Sequence, residues 1–283
     1  MAATENLRTV ALGVGDAEAG HRLSTEAGWN QTVEDWRLML IEGEGRGQVT
    51  PAGELVASAL IMPYEQRVAW LAMVLTTENH RRQGLATRNL RWAIDRCRAL
   101  GLSAGLDATP DGREVYRPLG FEDVYALHRW RADRVVPAVP PSDVAIRPLD
   151  GTDMAALDAS AFGARRDALL RYLHANRPDL ALVATSDGHP KGFILARSGR
   201  NTLHLGPLTA MSSTIAVALL VHALARVRGP VSIDVPDHQT AIVRLLEAAG
   251  FQPVRPFFRM VRDAKAAMGD PACTFAIAGP ELG

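Results

Sequence analysis

Apolar residues recur along this chain with two periods, and the order of those periods repeats. Residues 55–62 and 68–75 are apolar runs of strand length split by Pro63-Tyr-Glu-Gln, which predicts a hairpin. Ala86, Leu90, Ala93, Ile94, Cys97 and Leu100 then share one helical face, while Arg88, Arg91, Asp95 and Arg98 fall largely off it. That pattern predicts an amphipathic helix, which Gly101 ends. Residues 104–108 and 123–130 read as the last strands of this half, with a short helix carrying Tyr116 between them. Upstream, residues 9–12 read as a strand, and 16–27 and 33–41 as helices. Thr32 is placed to cap the second helix, with Asp35 at its third position in a capping-box-like pair.

The second half follows the same order. Ala104-Gly-Leu-Asp-Ala-Thr-Pro110 is echoed by Val231-Ser-Ile-Asp-Val-Pro236, and Leu119-Gly-Phe121 by Ala249-Gly-Phe251. The strand, loop and helix of residues 71–101 are echoed by residues 203–229. Such a repeat implies two copies of one α/β unit. Between them, residues 133–143 carry three prolines, which exclude helix and stiffen the chain. The expected organisation is a domain at 1–132, a linker at 133–143 and a second domain at 144–283.

Candidate chemistry gathers in Leu75-Thr-Thr-Glu-Asn-His-Arg-Arg-Gln-Gly-Leu-Ala-Thr87, where strand gives way to helix. A turn at that junction points backbone N–H groups into one concavity at a helix start, where the macrodipole favours negative charge. Gly84 allows close approach to the backbone, and Arg81 and Arg82 add positive charge; a pyrophosphate fits this pattern. These residues resemble the acyl-CoA-binding motif Arg/Gln-x-x-Gly-x-Gly/Ala of the GNAT superfamily of N-acetyltransferases. Tyr116 with Leu119-Gly120-Phe121 is similar to the Tyr-x-x-x-Gly-Phe pattern of the same superfamily, and the resemblance covers residues 8–131. Leu205-Gly-Pro-Leu208, Ile233-Asp-Val-Pro236 and residues 275–283 resemble the second domain of bacterial tandem GNAT proteins. The implied fold is α/β, with two tandem GNAT-like domains. Each would be a twisted, mostly antiparallel sheet with a splayed parallel strand pair and flanking helices, the acyl thioester lying in the splay.

The copies differ where chemistry would be. Leu205-Gly-Pro-Leu-Thr leads into Ala-Met-Ser-Ser-Thr-Ile-Ala, with no arginine or glycine to receive a pyrophosphate, and Leu246 stands in register with Tyr116. The following helix, residues 215–227, is apolar on most faces and is expected to be buried. The second copy is therefore expected to be degenerate, walling the substrate cleft, holding the first domain or mediating dimerisation. Residues 279–283 are expected to be docked, because they match the tandem family.

The resemblance implies acetyl-CoA as cosubstrate, held by Leu75, Thr76, Arg81, Arg82, Gln83, Gly84, Leu85, Ala86 and Thr87. A backbone N–H around Leu75 and Thr76 would polarise the thioester carbonyl. Tyr116 would be the general acid, since a phenol with a pKa near ~10 is protonated at neutral pH and can donate to the leaving sulfur. The acceptor amine, with an ordinary pKa near ~10.4, must lose a proton first. Glu26, Glu34, Asp35 and Glu65 are candidate bases by location, each with a solvated or capping role as its alternative, while His21 and His128 read as structural histidines. Trp29 and Asn30, after the first long helix, fall in the acceptor region; they could stack on and hydrogen-bond a small substrate, or Trp29 could plug the core below.

Composition narrows the partners. The chain has 283 residues, 47% hydrophobic and 22% charged, and its 31 basic and 31 acidic residues cancel. That balance gives no general electrostatic case for nucleic acid or an anionic membrane. Two cysteines, Cys97 and Cys273, without a nearby histidine pair support neither a metal site nor a disulfide framework. No basic segment followed by an apolar run opens the sequence, and the apolar stretch at 215–227 is interrupted by His222 and Arg226, so a cytoplasmic setting is expected. The reading is an N-acyltransferase that moves acetyl from acetyl-CoA to a primary amine of a small molecule by direct attack in a ternary complex, as a monomer or homodimer. A non-catalytic acyl-CoA-binding sensor and a protein or peptide N-acetyltransferase are its alternatives.

Overall fold

The computed structural model describes residues 6–137, 144–150, 154–264 and 268–283. Backbone contacts divide the chain into two compact units, Met1–Ala104 and Gly105–Gly283. The first holds β1 (Arg8–Leu12), α1 (Ala17–Glu26), α2 (Val33–Glu42), β2 (Glu44–Val49), β3 (Leu55–Tyr64), β4 (Val68–Thr76) and α3 (Leu85–Ala99). Its four strands pair antiparallel in chain order. The Thr32–Asp35 capping box forms as the sequence predicts: Asp35 N–H donates to Thr32 Oγ1 at 3.2 Å, and Thr32 N–H donates to Asp35 Oδ2 at 2.8 Å. Trp36, fully buried, donates its ring N–H to Ser24 Oγ at 3.0 Å and ties α2 to α1. β2 is a strand that the apolar pattern does not announce. Gly45 and Gly47 interrupt it, and they are required there because Leu12, Leu40, Leu55 and Leu60 side chains fill the space a Cβ would take.

The chain crosses from one unit to the other inside β5 (Ser103–Ala108). The second unit continues with α4 (Pro110–Tyr116), β6 (Glu122–Ala132), β7 (Ala145–Pro148), α5 (Ala155–Phe162), α6 (Asp167–Asn176), β8 (Leu182–Ser186), β9 (His189–Ser198) and β10 (Leu203–Ala210). It ends with α7 (Ser213–Leu224), β11 (Val231–Pro236), α8 (Thr240–Ala248), β12 (Gln252–Arg262) and β13 (Thr274–Ala276). Its strands lie in the order β12-β6-β11-β10-β9-β8-β7, with β13 on β10. β10 and β11 run parallel, while β12–β6, β6–β11, β10–β9, β10–β13, β9–β8 and β8–β7 are antiparallel, so the sheet is mixed, as expected of an α/β fold.

The order of strands is not that of two closed copies. β6 ends the first sequence repeat, yet it lies between β11 and β12 of the second. β12 ends the second repeat and lies beside β5 of the first. The last strands have changed places. This places the compact boundary at residue 104, ahead of the proline-rich linker, whose residues 138–143 lie outside the described residues.

Two ion pairs secure the exchange at matching positions of the repeat. Arg129 on β6 grips Asp234 on β11 through two bonds of 2.8 and 2.7 Å. Arg259 on β12 grips Asp107 on β5 through two bonds of 2.9 and 2.8 Å. Both aspartates are fully buried. Burial pushes the Asp234 carboxyl up, but Arg129, aided by His204 and Arg197, outweighs it, and the net direction is down. Burial alone would lower the Arg259 pKa; Asp107 and Tyr125 hold it above the ordinary value. On the opposite face, Leu219, Leu220 and Ala223 of α7 and Ile242 and Leu246 of α8 pack with Trp130, Ile233, Val235 and Phe251. The apolar helix of the second copy is thus buried, as its composition predicts.

Two outcomes follow from these buried charges. Asp234→Asn leaves the Arg129 guanidinium facing a neutral partner in the sheet and should cost about 3–5 kcal/mol, read from the urea midpoint, whereas Arg129→Met with Asp234→Leu should recover most of the loss. His204 is buried, which lowers its pKa to about 4 from an ordinary 6.5. The unfolded chain therefore binds the extra proton first, and stability should fall as pH drops from about 6.5 to about 4, by up to about 3 kcal/mol. His204→Asn should flatten that part of the stability–pH curve.

Candidate functional site

In the first unit, β4 runs out at Thr76, a short turn at Glu78–His80 follows, and α3 begins after Gly84. Gly84 is left-handed, with φ +75°, and Arg82 two residues earlier is also left-handed, with φ +60°. Alternation of this kind aims successive N–H groups to one side. A Cβ on Gly84 would meet nothing within 4 Å, so the space over the turn is open and the backbone angle is what selects glycine. No side chain caps α3, and its first turn carries no acidic residue. Its leading N–H groups are left to a ligand or to solvent. Arg81, Arg82, Gln83 and Gly84 are exposed, and Ala86 and Thr87 are half-buried. The Leu85 side chain instead packs on Val56 and Ala57, so this residue anchors the turn in the core and offers a ligand only its backbone.

β4 also carries an irregularity that sequence did not signal. Met73 is left-handed, with φ +51°, and the register against β3 slips between Ser58 and Leu60. Ser58 Oγ donates to the Met73 carbonyl at 2.7 Å and holds the kink. A bulge lifts peptide groups out of the ladder just before Leu75 and Thr76. Leu75 points into the core, while the Thr76 hydroxyl is buried without a hydrogen-bond partner among the described residues.

The candidate bases separate by position. Asp35 is fully buried in its capping box, and Glu34 is exposed and pairs with Arg37 at 3.1 Å; both have the capping or solvated role. Glu65 sits in the turn before β4, at the far end of a nine-residue strand from the Gly84 turn, about 30 Å of chain away. Glu26 accepts the Glu78 N–H at 2.7 Å and so ties the end of α1 to the loop that leads into the turn. His21 faces Thr25 at 3.4 Å on the same helix. Trp29 is half-buried and Asn30 buried, both in the connection from α1 to α2. The core plug of this region is Trp36 rather than Trp29.

In the second unit, Thr109 caps α4 by accepting the Gly112 N–H at 3.2 Å, with Pro110 as the first helical residue. Tyr116 closes this helix. Gly120, left-handed at φ +86°, turns the chain so that Phe121 comes to 6.0 Å from the Tyr116 ring. Burial pushes the phenol up to about 12, so it is neutral across the physiological range. Its hydroxyl has no hydrogen-bond partner among the described residues. His128 contacts the Asp237 carboxylate through Nδ1 at 2.7 Å, on a half-exposed face.

The matching positions of the second copy are built otherwise. α7 begins with Ser212, whose hydroxyl accepts the Ile215 N–H at 3.4 Å and so caps the helix internally. Leu246, opposite number of Tyr116, is fully buried. Residues 279–283 are docked as expected, with Leu282 and Glu281 buried. Among the described residues no three His, Cys, Asp or Glu side chains gather as a metal site, and no helix is long and apolar enough to cross a membrane.

The fold agrees with that of known proteins. Residues 20–121 match the model of the acetyltransferase (GNAT) family, and residues 154–275 match that of an acetyltransferase (GNAT) domain. The chain is 25% identical over 234 residues to YitH of Bacillus subtilis (strain 168), an uncharacterized N-acetyltransferase, covering 81% of this chain and 82% of that one. Among solved structures, a proposed acetyltransferase from Pyrococcus horikoshii superposes with a TM-score of 0.79 at 20% identity, over 98% of this chain and 96% of that one. A tandem GNAT protein from the clavulanic acid biosynthesis pathway superposes with a TM-score of 0.58 at 15% identity, over 90% and 98%. With a match on either side of the proline-rich linker, the chain belongs to the GNAT acetyltransferases and carries two GNAT domains.

Proposed function

We propose that this enzyme transfers acetyl from acetyl-CoA to a primary amine of a small molecule, and that only its first GNAT domain binds the cofactor. The observation that carries the reading is the open, uncapped start of α3, with Gly84 left-handed and Arg81 and Arg82 beside it. The residues suit the proposed guest: the turn has room for phosphate oxygens over Gly84, and the orphaned Thr76 hydroxyl lies at the end of the strand that the thioester would follow. The second domain offers a serine-capped helix and Leu246 in the corresponding places, which supports its lacking the cofactor chemistry.

In the proposed reaction the amine, as its free base, attacks the thioester carbonyl, and the C–S bond breaks as the C–N bond forms. The departing thiolate takes its proton from Tyr116, and the amine proton passes to solvent or to a base. Tyr116 can serve because burial keeps it protonated and no described side chain competes for its hydroxyl. A neutral overall charge accords with a small acceptor rather than a polyanion.

Calorimetric titration with acetyl-CoA should give one site per chain, and Gly84→Val should weaken binding at least tenfold by forbidding the left-handed turn. Two sites, or no binding, would overturn the assignment. Tyr116→Phe should lower kcat about 100-fold with acetyl-CoA affinity little changed. In the wild type, kcat should show no descending limb at pH 10, where a free phenol ionises, because this one titrates at about 12.

A further inference from the structure

In the second GNAT domain the gap between the parallel strands is filled by protein. β10 and β11 pair as far as Leu205 and Ile233 and then part. β13 enters the opening: Ala276 pairs with Leu208 and Thr274 with Thr209 on one wall. Ile277 N–H donates to the Asp234 carbonyl on the other wall at 3.1 Å. Phe275, Ala276, Ile277, Ala278 and Leu282 are all buried. Gly206 admits the segment, since it holds φ +149° and a Cβ on it would collide with the Ile277 carbonyl oxygen.

Residues 279–283 then fold into a tight turn, with the Leu282 and Gly283 N–H groups donating to the Gly279 carbonyl at 2.9 and 3.0 Å. Two buried arginines receive this turn. Arg197 on β9 binds the Glu281 carboxylate. Arg166 donates to the carbonyl oxygens of Leu282, at 3.1 Å, and of Gly283, while Asp158 holds the same guanidinium through bonds of 2.9 and 2.8 Å. A pre-set arginine aimed at backbone oxygens, a second matched to a carboxylate, and strand edges on both walls are the parts of a peptide-recognition site.

We propose that the splayed β10/β11 cleft is a strand-accepting peptide site whose ligand is residues 274–283 of this chain, and that this occupancy excludes acyl-CoA from the second domain. The site reads an extended backbone with small and apolar side chains at 275–278 and an acid at 281. The meaning given to the cleft rests on the acyl-CoA reading above; the peptide site itself does not.

Hydrogen exchange on the full chain, with and without saturating acetyl-CoA, tests it. The amides of Ile277, Leu282 and Gly283 should exchange slowly in both states, while amides at 81–87 slow only with the cofactor. Acetyl-CoA that speeds exchange across 274–283 would show a gated cofactor cleft and overturn the inference. A full-length Ile277→Asp, Glu281→Lys variant should release the segment and bind one fluorescent synthetic peptide of residues 274–283, which the wild type should refuse. A folded variant that binds no peptide would also overturn the inference. If that variant does not fold, Glu281→Gln alone should speed exchange at 277–283 at least tenfold, and unchanged exchange would count against the site. Unaltered exchange at 81–87 with acetyl-CoA would sink the proposed function, while the peptide result would still decide this one.

Discussion

The arrangement of the second unit depends on two arginine–aspartate pairs that cross between the sequence repeats. Each joins the last strand of one repeat to the middle strand of the other: Arg129 to Asp234, and Arg259 to Asp107. A buried carboxylate is costly without a partner, so each aspartate admits only a strand that brings an arginine to the same depth. β6 and β12 both bring one, at corresponding positions. The charges thus fix the register of β6 on β11 and of β12 on β5, since a slipped pairing would leave an aspartate alone in the sheet.

Much of the local structure was legible in the sequence. The helical face from Ala86 to Leu100, with Gly84 before it, marks the start of α3, because period and backbone freedom point to one place. The spacing of Tyr116 from Gly120 and Phe121 likewise fixes a short helix that turns back on itself. Other features left no mark. β2 hides behind glycines whose presence answers to leucines far along the chain. The bulge at Met73 uses a residue with no preference for a left-handed angle. The exchange of β6 and β12 was invisible for a deeper reason: two copies with the same alternation pair equally well with themselves or with each other, and only side chains at distant positions break the tie.

The contrast between the two domains is one of termini and gaps rather than of fold. In the first, the helix after the central strand starts uncapped, with a left-handed glycine and exposed arginines. In the second, a serine closes the corresponding helix and the parallel strands hold a piece of chain. The same scaffold can leave its polar backbone groups for a guest or satisfy them internally, and a few residues at the strand–helix junction decide which.

The exchange also sets an order on the making of the protein. β6 has both of its neighbours, β11 and β12, later in the chain, and β5 waits for β12 as well. When the first repeat leaves the ribosome its final strand has no sheet to join, and its edge stays open until residue 262 has been made. Early synthesis therefore exposes an unpaired strand with an apolar face, a hazard for misassembly. The sequence that directly follows that waiting strand, residues 133–143, carries three prolines.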